Sequence, residues 1–489
     1  MIRLRALLVL TLALSMQGRV SAQFNHAISV FTTDTVFLNA GISICFRNAS
    51  TSELVAGYNE NMALGSASVM KLVTTAAALE TLGPEFRFTT MVGYTGTINK
   101  ADSILDGYIV IKGGGDPTLL SEYFPDHNID IINEWADALS HASIKSVKGS
   151  VLSDAMVFDY HPAPGGWNWA DLGNYYGAGV HGIAIFDNMY RIHFKTGGEG
   201  SVPEITAIDP EVPGLIIENR LISNGIVDNG YVYLEPYGNH AIIRGEIPAG
   251  KDDFILKASI PDPPLLAASL LQEALVIRGL DFGKQSTTLR LSPSLSEEYR
   301  FSPKIVVHTS FSPPLSEIIS ATNRESLNLY AEQLLKYMGV LYTGNEKATS
   351  GEGLKAVKEY FDNRLGDTRG LYMTDGSGLS RSNAISSAFI TRLLCYMKNE
   401  SIYGGYFVNS LPEAGKEGTL KYYFKDQAFE GRLAAKSGTS TRIRNYAGYI
   451  KTLGGKEYSF AVLVNNFDCT PSEVTVKIES LLKEIIMAE

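Results

Sequence analysis

At 489 residues, 45% hydrophobic and 19% charged, the chain is long enough to bury a large core and to divide into two or three domains. Its formal charge of -10 argues against nucleic acid as a partner, because that binding rests on clustered Lys and Arg neutralising phosphates. Three scattered cysteines, Cys45, Cys395 and Cys469, suit neither a disulfide framework nor a Cys-x-x-Cys metal site; they read as buried small hydrophobes, with room for one disulfide.

The chain opens on Met1-Ile2-Arg3-Leu4-Arg5, an apolar stretch from Ala6 to Met16, and Val20-Ser21-Ala22 as a small-residue cleavage site. This pattern predicts a secretory signal peptide over 1–22, and Gln17, Gly18 and Arg19 end the apolar run well short of a membrane span. The mature chain is expected to be exported to a periplasmic or other extracytoplasmic space, without a transmembrane anchor. Residues Ala27 to Phe46, rich in Val, Thr and Phe, read as strands. From Ser68 the period changes, with Leu72, Ala76 and Leu79 on one helical face and a stop at Gly83-Pro84, so a helix is expected to begin at Ser68.

The stretch between Ser68 and Ser326 is far longer than a helical connection needs, which predicts an inserted domain. Its strands include Gly107 to Ile111 ahead of Gly113-Gly114-Gly115-Asp116-Pro117, then Tyr231 to Tyr233 and Ala241 to Ile247. Pro261, Pro263 and Pro264 break the pattern before a helical run from Leu265 to Ile277, and a second helical run covers Leu329 to Met338. Near the C-terminus, Asn445 to Ile450 and Tyr458 to Asn465 form a predicted hairpin just after Lys436. A helix with Val474, Ile478, Leu481, Leu482 and Ile485 on one stripe follows, capped by Ser472.

Four segments in a fixed order carry the chemistry: Ser68-Val69-Met70-Lys71, Ser326-Leu327-Asn328, Asp375-Gly376-Ser377-Gly378 and Lys436-Ser437-Gly438-Thr439. Each alone says little, because Ser480-Leu481-Leu482-Lys483 and Lys195-Thr196-Gly197 fit the same patterns. The ordered set describes a serine acyl-transferase that uses lysines as its bases. A serine hydroxyl needs a base within about 2.6–3.2 Å, and three residues of helix bring Lys71 to the side of Ser68. A lysine serves as that base when burial or a nearby cation such as Lys436 lowers its pKa. The bland reading makes Ser68 and Ser326 helix caps and Lys436 an ordinary strand end.

The eight histidines form no His-x-x-x-His or His-Glu-x-x-His pattern, so metal chemistry has no support. There is no Gly-x-Ser-x-Gly elbow, which disfavours a Ser-His-Asp hydrolase, and Gly113 to Gly115 lack the ending of a phosphate loop. No cofactor is called for.

Together with Gly107 to Pro117, the Gly166-Trp167-Asn168-Trp169 region and Asp375 to Arg381, the four segments make the chain resemble the low-molecular-mass class C penicillin-binding proteins, the D-alanyl-D-alanine carboxypeptidases and endopeptidases. The resemblance implies an α+β fold: a transpeptidase or β-lactamase-like domain, its antiparallel sheet flanked by helices, from residues 23–90 and 301–489. A large β-rich accessory domain in two parts, residues 91–300, would be inserted into it. It also implies roles. Ser68 would attack the peptide carbonyl between two D-alanines and Lys71 would take its proton. Ser326 and Lys436 would pass a proton to the departing amine, while Asn328 holds the substrate amide. The N–H groups of Ser68 and Thr439 would form the oxyanion hole, Ser437 and Thr439 would meet the terminal carboxylate, and Gly438 would let substrate lie along the strand edge.

Substrate selection would fall on Asp154, Phe158 and Arg381, the alternatives being a turn cap at Asp154 and a surface ion pair at Arg381. The implied partners are peptidoglycan stem peptides, with β-lactam antibiotics as covalent inhibitors. Leu327 stands where a polar residue is usual, and Ser437 replaces threonine while keeping the hydroxyl. A β-lactamase would need a further base in a Glu-x-x-Leu-Asn segment, which is absent from the sequence. A non-catalytic wall-binding or penicillin-sensing protein would have no need of Ser68, Lys71 and Lys436 together.

Overall fold

The computed structural model describes residues 20–292, 295 and 303–488; of the signal peptide expected over 1–22, residues 1–19 lie outside them. Contacts divide the chain into two compact units. One contains the residues up to Glu85, Leu315–Leu327 and the chain from Val357 onward; the other contains Phe86–Pro314 and Asn328–Ala356.

The first unit is built on a five-stranded antiparallel sheet in the order Leu433–Ser440, Ile443–Lys451, Glu457–Asn465, Gly41–Asn48, Leu54–Tyr58. Alternation along the strands sends side chains to two faces. Ile42, Ile44 and Phe46, with Phe460, Val462 and Val464, enter one core with Ile478, Leu482 and Ile485 of the C-terminal helix Pro471–Met487. On the other face, the Cys45 Sγ accepts a hydrogen bond from the Thr391 Oγ at 3.2 Å, and the Cys395 Sγ lies 3.1 Å from the Ser459 Oγ. Both belong to contacts with the helix Ser387–Asn399, and all three cysteines are free thiols. The sheet is thus antiparallel and flanked by helices, as the resemblance implies.

Two local expectations are corrected here. Residues 20–32 form a helix, and strand begins only at Gly41. Phe24, Ala27, Ile28 and Phe31 are spaced to share one helical face and are buried in the sheet's core, so tertiary burial overrides the strand propensity of the neighbouring Val and Thr. At the other end, the final helix is capped by Thr470, which forms a reciprocal capping box with Glu473, and Ser472 lies inside the helix.

The second unit is rich in strands. Thr89–Asn99 and Ile104–Gly113 pair as a long hairpin within its largest sheet, and two three-stranded sheets follow. Ile109, Ile111, Trp135, Val151, Leu271 and Leu275 are among the residues of its core. The helix Pro263–Ile277 begins at the prolines that were expected to precede it, because proline is tolerated in a first helical turn; Asp262 caps it by accepting the Leu265 N–H at 3.2 Å.

Candidate active site

Ser68 lies in a single 3-10 turn, Ala67–Met70, and the α-helix proper starts at Lys71 and runs to Leu82. In a 3-10 turn, residues three apart eclipse. Lys71 therefore stands over Ser68, and its Nζ donates to the Ser68 Oγ at 2.9 Å. The same Nζ donates to the carbonyl of Ser377 at 2.8 Å, and the ammonium stem is fully buried.

The Asp375 segment explains itself through that carbonyl. Buried Asp375 accepts the Gly378 N–H at 2.7 Å, the Ser380 N–H at 2.6 Å and the Asn383 amide at 2.7 Å. These bonds fold the loop so that the carbonyls of Ser377 and Gly376 face the Lys71–Leu82 helix, the latter accepting from the Thr74 Oγ at 2.6 Å. Gly378 has φ 84°, and a Cβ there would stand 1.9 Å from the Ala67 carbonyl oxygen, so the loop can pass the Ala67–Met70 turn only with glycine at this point. Ala67 itself is held at φ 42°, a left-handed conformation typical of strained functional turns.

A second serine–lysine pair lies in the same unit. Lys436, fully buried on the edge strand Leu433–Ser440, donates to the Ser326 Oγ at 2.8 Å and to the carbonyl of Ser437 at 3.0 Å. Burial pushes the Lys436 pKa well below the ordinary lysine value, and the charge of Lys71 pushes it the same way, against the opposite pull of Glu325. Ser326 adopts φ 62° at the end of the helix Leu315–Arg324. That helix is tied to the Lys71–Leu82 helix through Asn323, whose amide donates to the Thr75 Oγ at 3.2 Å and also to the Ser410 Oγ at 2.8 Å.

Gly438 is the close-approach point between the strand and the Ser68 turn: a Cβ there would lie 2.9 Å from the Ser66 carbonyl and 3.1 Å from the Val69 nitrogen. Asn445 on the neighbouring strand fixes the same turn, its amide donating to the carbonyls of Gly65 at 2.8 Å and Ser66 at 3.0 Å. A cavity of ≈ 410 Å³ opens here, lined by Ser68, Ser326, Thr419, Ser437, Thr439 and Arg444 among others. The Ser437 Oγ donates to the Thr419 Oγ at 2.8 Å, and Arg444 donates to the Thr439 Oγ at 2.6 Å.

Of the expected site residues, Ser68, Lys71, Ser326, Lys436, Ser437, Gly438 and Thr439 are therefore assembled by the first unit. Asn328 falls in the second unit, where its amide donates to the Tyr176 carbonyl at 2.7 Å. Asp154 and Phe158 also belong to the second unit and are buried. Asp154 accepts the Met156 N–H at 3.0 Å, the turn cap that stood as its alternative, and Phe158 packs with Val157 and Val180. Arg381, on the chain just after the Asp375 loop, is exposed and makes no ion pair among the described residues.

The decoy segments have other lives. The Ser480 Oγ donates back to the Val476 carbonyl while Lys483 pairs with Asp426, and the Thr196 Oγ accepts the Lys251 N–H at 2.7 Å in the second unit. Thr419, Arg444 and Asn445 were missed from sequence. Asn445 left a trace, since an asparagine opening an apolar strand must find partners when buried. Arg444 left none without the strand register that sets it opposite Thr439.

The chain matches the model of the D-Ala-D-Ala carboxypeptidase 3 (S13) family over residues 24–485. It is 28% identical to a D-alanyl-D-alanine carboxypeptidase of an Actinomadura species over 93% of this chain and 83% of that one. It is 23% identical to the D-alanyl-D-alanine carboxypeptidase DacB of Haemophilus influenzae, over 90% and 88%. In fold, it is similar to the crystal structure of penicillin binding protein 4 (dacB) from Haemophilus influenzae, with a TM-score of 0.78 and 20% identity, covering 94% of this chain and 97% of that one.

Proposed function

The chain belongs to the D-Ala-D-Ala carboxypeptidase 3 (S13) family, and from that premise we propose that it is a serine D-Ala-D-Ala carboxypeptidase, and also a DD-endopeptidase, acting on peptidoglycan stem peptides. The observation that carries this reading is the pair of serine–lysine hydrogen bonds, Lys71 to Ser68 at 2.9 Å and Lys436 to Ser326 at 2.8 Å. Each lies within the reach a proton transfer needs.

In the proposed reaction, the Ser68 Oγ attacks the carbonyl carbon of the penultimate D-alanine as its proton passes to the Lys71 Nζ. The C–N bond then breaks and the departing amine takes a proton through Ser326 and Lys436, leaving an ester on Ser68. Water attacks that ester, releasing the shortened peptide and restoring the serine. Burial and the charge of Lys71 push the Lys436 pKa down, which suits the relay because the ammonium then gives up its proton more readily. Asn328, two residues along the chain from Ser326, is proposed to hold the substrate amide, and exposed Arg381 to select substrates; Asp154 and Phe158 are assigned to the architecture of the second unit.

Cleavage of a crosslink uses the same acyl carbonyl with a longer amine as leaving group, which is why the endopeptidase activity is included. A β-lactam would acylate Ser68 by the same attack, but its amine stays tethered to the acyl group, so the ester persists as a covalent inhibitor. Such a substrate lies outside the cytoplasm, in keeping with the exported location expected from the first 22 residues.

The test is mass spectrometry of a pentapeptide ending in D-Ala-D-Ala, incubated with wild type and with Ser68→Ala. Loss of one alanine with the wild type alone is the expected result. An unchanged peptide with both, or turnover by Ser68→Ala, would overturn the assignment.

A further inference from the structure

We infer that the strand-rich second unit binds one water molecule as a fixed part of its interior, held by Ser153, Tyr160, His181 and Arg290 in a cavity of its own.

That cavity is lined wholly by residues of the second unit, these four with Asp159 and Asp262 among them. Ser153 stands fully buried on the strand Val151–Asp154, and His181 is 4% exposed. Because side chains alternate along a strand, Ser153 faces away from the side that Asp154 takes. Among the described residues the Ser153 Oγ, the Tyr160 hydroxyl, the His181 Nε2 and the Arg290 Nε are each buried without a hydrogen-bond partner. Buried polar atoms are nearly always paired, since a lone one has given up its hydration for nothing. Four such atoms on residues lining one cavity point to a partner they share.

Charge makes that partner neutral. Arg290 donates to the Asp262 carboxylate at 2.6 Å, with its Cζ 3.8 Å from the centre of the Tyr237 ring, and Lys336 donates to Asp159 at 2.5 Å. Each cation already has its own carboxylate. His181 stays uncharged near neutral pH, its pKa pushed down to about 3 by burial and by the charges of Lys336 and Arg290. An anion would find the countercharges taken, and a metal cation would meet the N–H of Arg290. Size makes the partner small: the space open to a water's centre is ≈ 10 Å³, and a single water needs about 10–15 Å³. Hydrogen bonding agrees. The Arg290 Nε can only donate, whereas the two hydroxyls and the imidazole nitrogen can each donate or accept, so one water can accept two bonds and give two. It would join the chain at 153–160, at His181 and at Arg290, which the sequence keeps far apart.

The test is a high-resolution crystal structure of the whole protein, grown once in bromide and once in rubidium salt, with anomalous data from each. The expected result is one peak without anomalous signal, within about 2.7–3.2 Å of at least three of the four atoms. No density there, or an anomalous peak from either ion, would overturn the inference. In solution, Ser153→Val puts methyl groups where the hydroxyl and the water stand, while Ser153→Ala removes the hydroxyl and leaves the space. The valine variant is expected to lose the long-lived water seen by magnetic relaxation dispersion and to melt at a lower temperature than the alanine variant, which keeps its water. A valine variant as stable as the alanine one would show that no water completes these bonds. Should Ser153→Val fail to fold, the wild-type density and the water retained by Ser153→Ala still decide. None of these outcomes alters the reading of the Ser68 site.

Discussion

Ser68 and Lys71 meet because of three residues of local geometry, but the lysine is held in place by a segment some three hundred residues away. The Ser377 carbonyl that accepts from the Lys71 Nζ exists where it does because Asp375 ties down two backbone N–H groups and the Asn383 amide. Asp375 is thus a positioning residue for the lysine proposed as the base. Asp375→Ala is expected to lower kcat by on the order of 10²-fold, the lower end of what a positioned acid–base group contributes, with KM nearly unchanged; steady-state kinetics beside a thermal melt checks it. A purely structural role would show as a lowered Tm with normal kcat per folded molecule. The family segments were legible as residues, whereas the partners that aim them, Asn383, Asn445 and Thr419, were not, since each acts through a contact distant in sequence.

At the scale of elements, the helix that follows Ser68, the C-terminal hairpin and the final helix follow their local patterns. The N-terminal segment does not. Its Val and Thr residues suggested strand, while the set Phe24, Ala27, Ile28 and Phe31 obeys a helical spacing that matters only once a sheet exists to cover. Phe24 is wholly buried, edge-on to Phe46 with centroids 5.3 Å apart and tilted against Tyr458 at 4.9 Å. Phe24→Ala is therefore expected to destabilise the first unit by about 3–5 kcal/mol, the usual cost of emptying a buried phenylalanine site. Urea unfolding followed by intrinsic fluorescence would measure it, and a change below about 1 kcal/mol would show that the helix is only loosely attached.

For the whole molecule, the inserted strand-rich unit carries a pH dependence of its own. Asp116, from the Gly113–Pro117 turn, is buried with one carboxylate oxygen unpartnered, and burial raises its pKa from 3.8 to about 6 despite the hydrogen bonds of Thr118. The unfolded chain loses this proton near 3.8 and the folded chain only near 6. Between those values the native state holds the extra proton, so stability falls as pH rises through that window, and the full penalty is present above it. Asp116→Asn should accordingly be more stable than wild type at pH 7.5, by on the order of 3 kcal/mol at most, and no more stable near pH 4. Denaturant unfolding at the two pH values tests it; a gain of equal size at both would mean that charge is not the cause.

The sequence by itself determined the order of the Ser-x-x-Lys, Ser-x-Asn and Lys-Ser-Gly segments on which the proposed chemistry rests, and the hairpin and helix that close the chain. Those features are local patterns, and local patterns are set by side-chain type and spacing. Only the tertiary structure decided that residues 20–32 are helical, that Asp154 caps a turn and Phe158 packs in a core, that the Asp375 loop holds Lys71, and that Arg444 donates to Thr439 across the hairpin. Each depends on which distant surfaces become neighbours when the chain buries its apolar faces, and no spacing along the sequence encodes that directly.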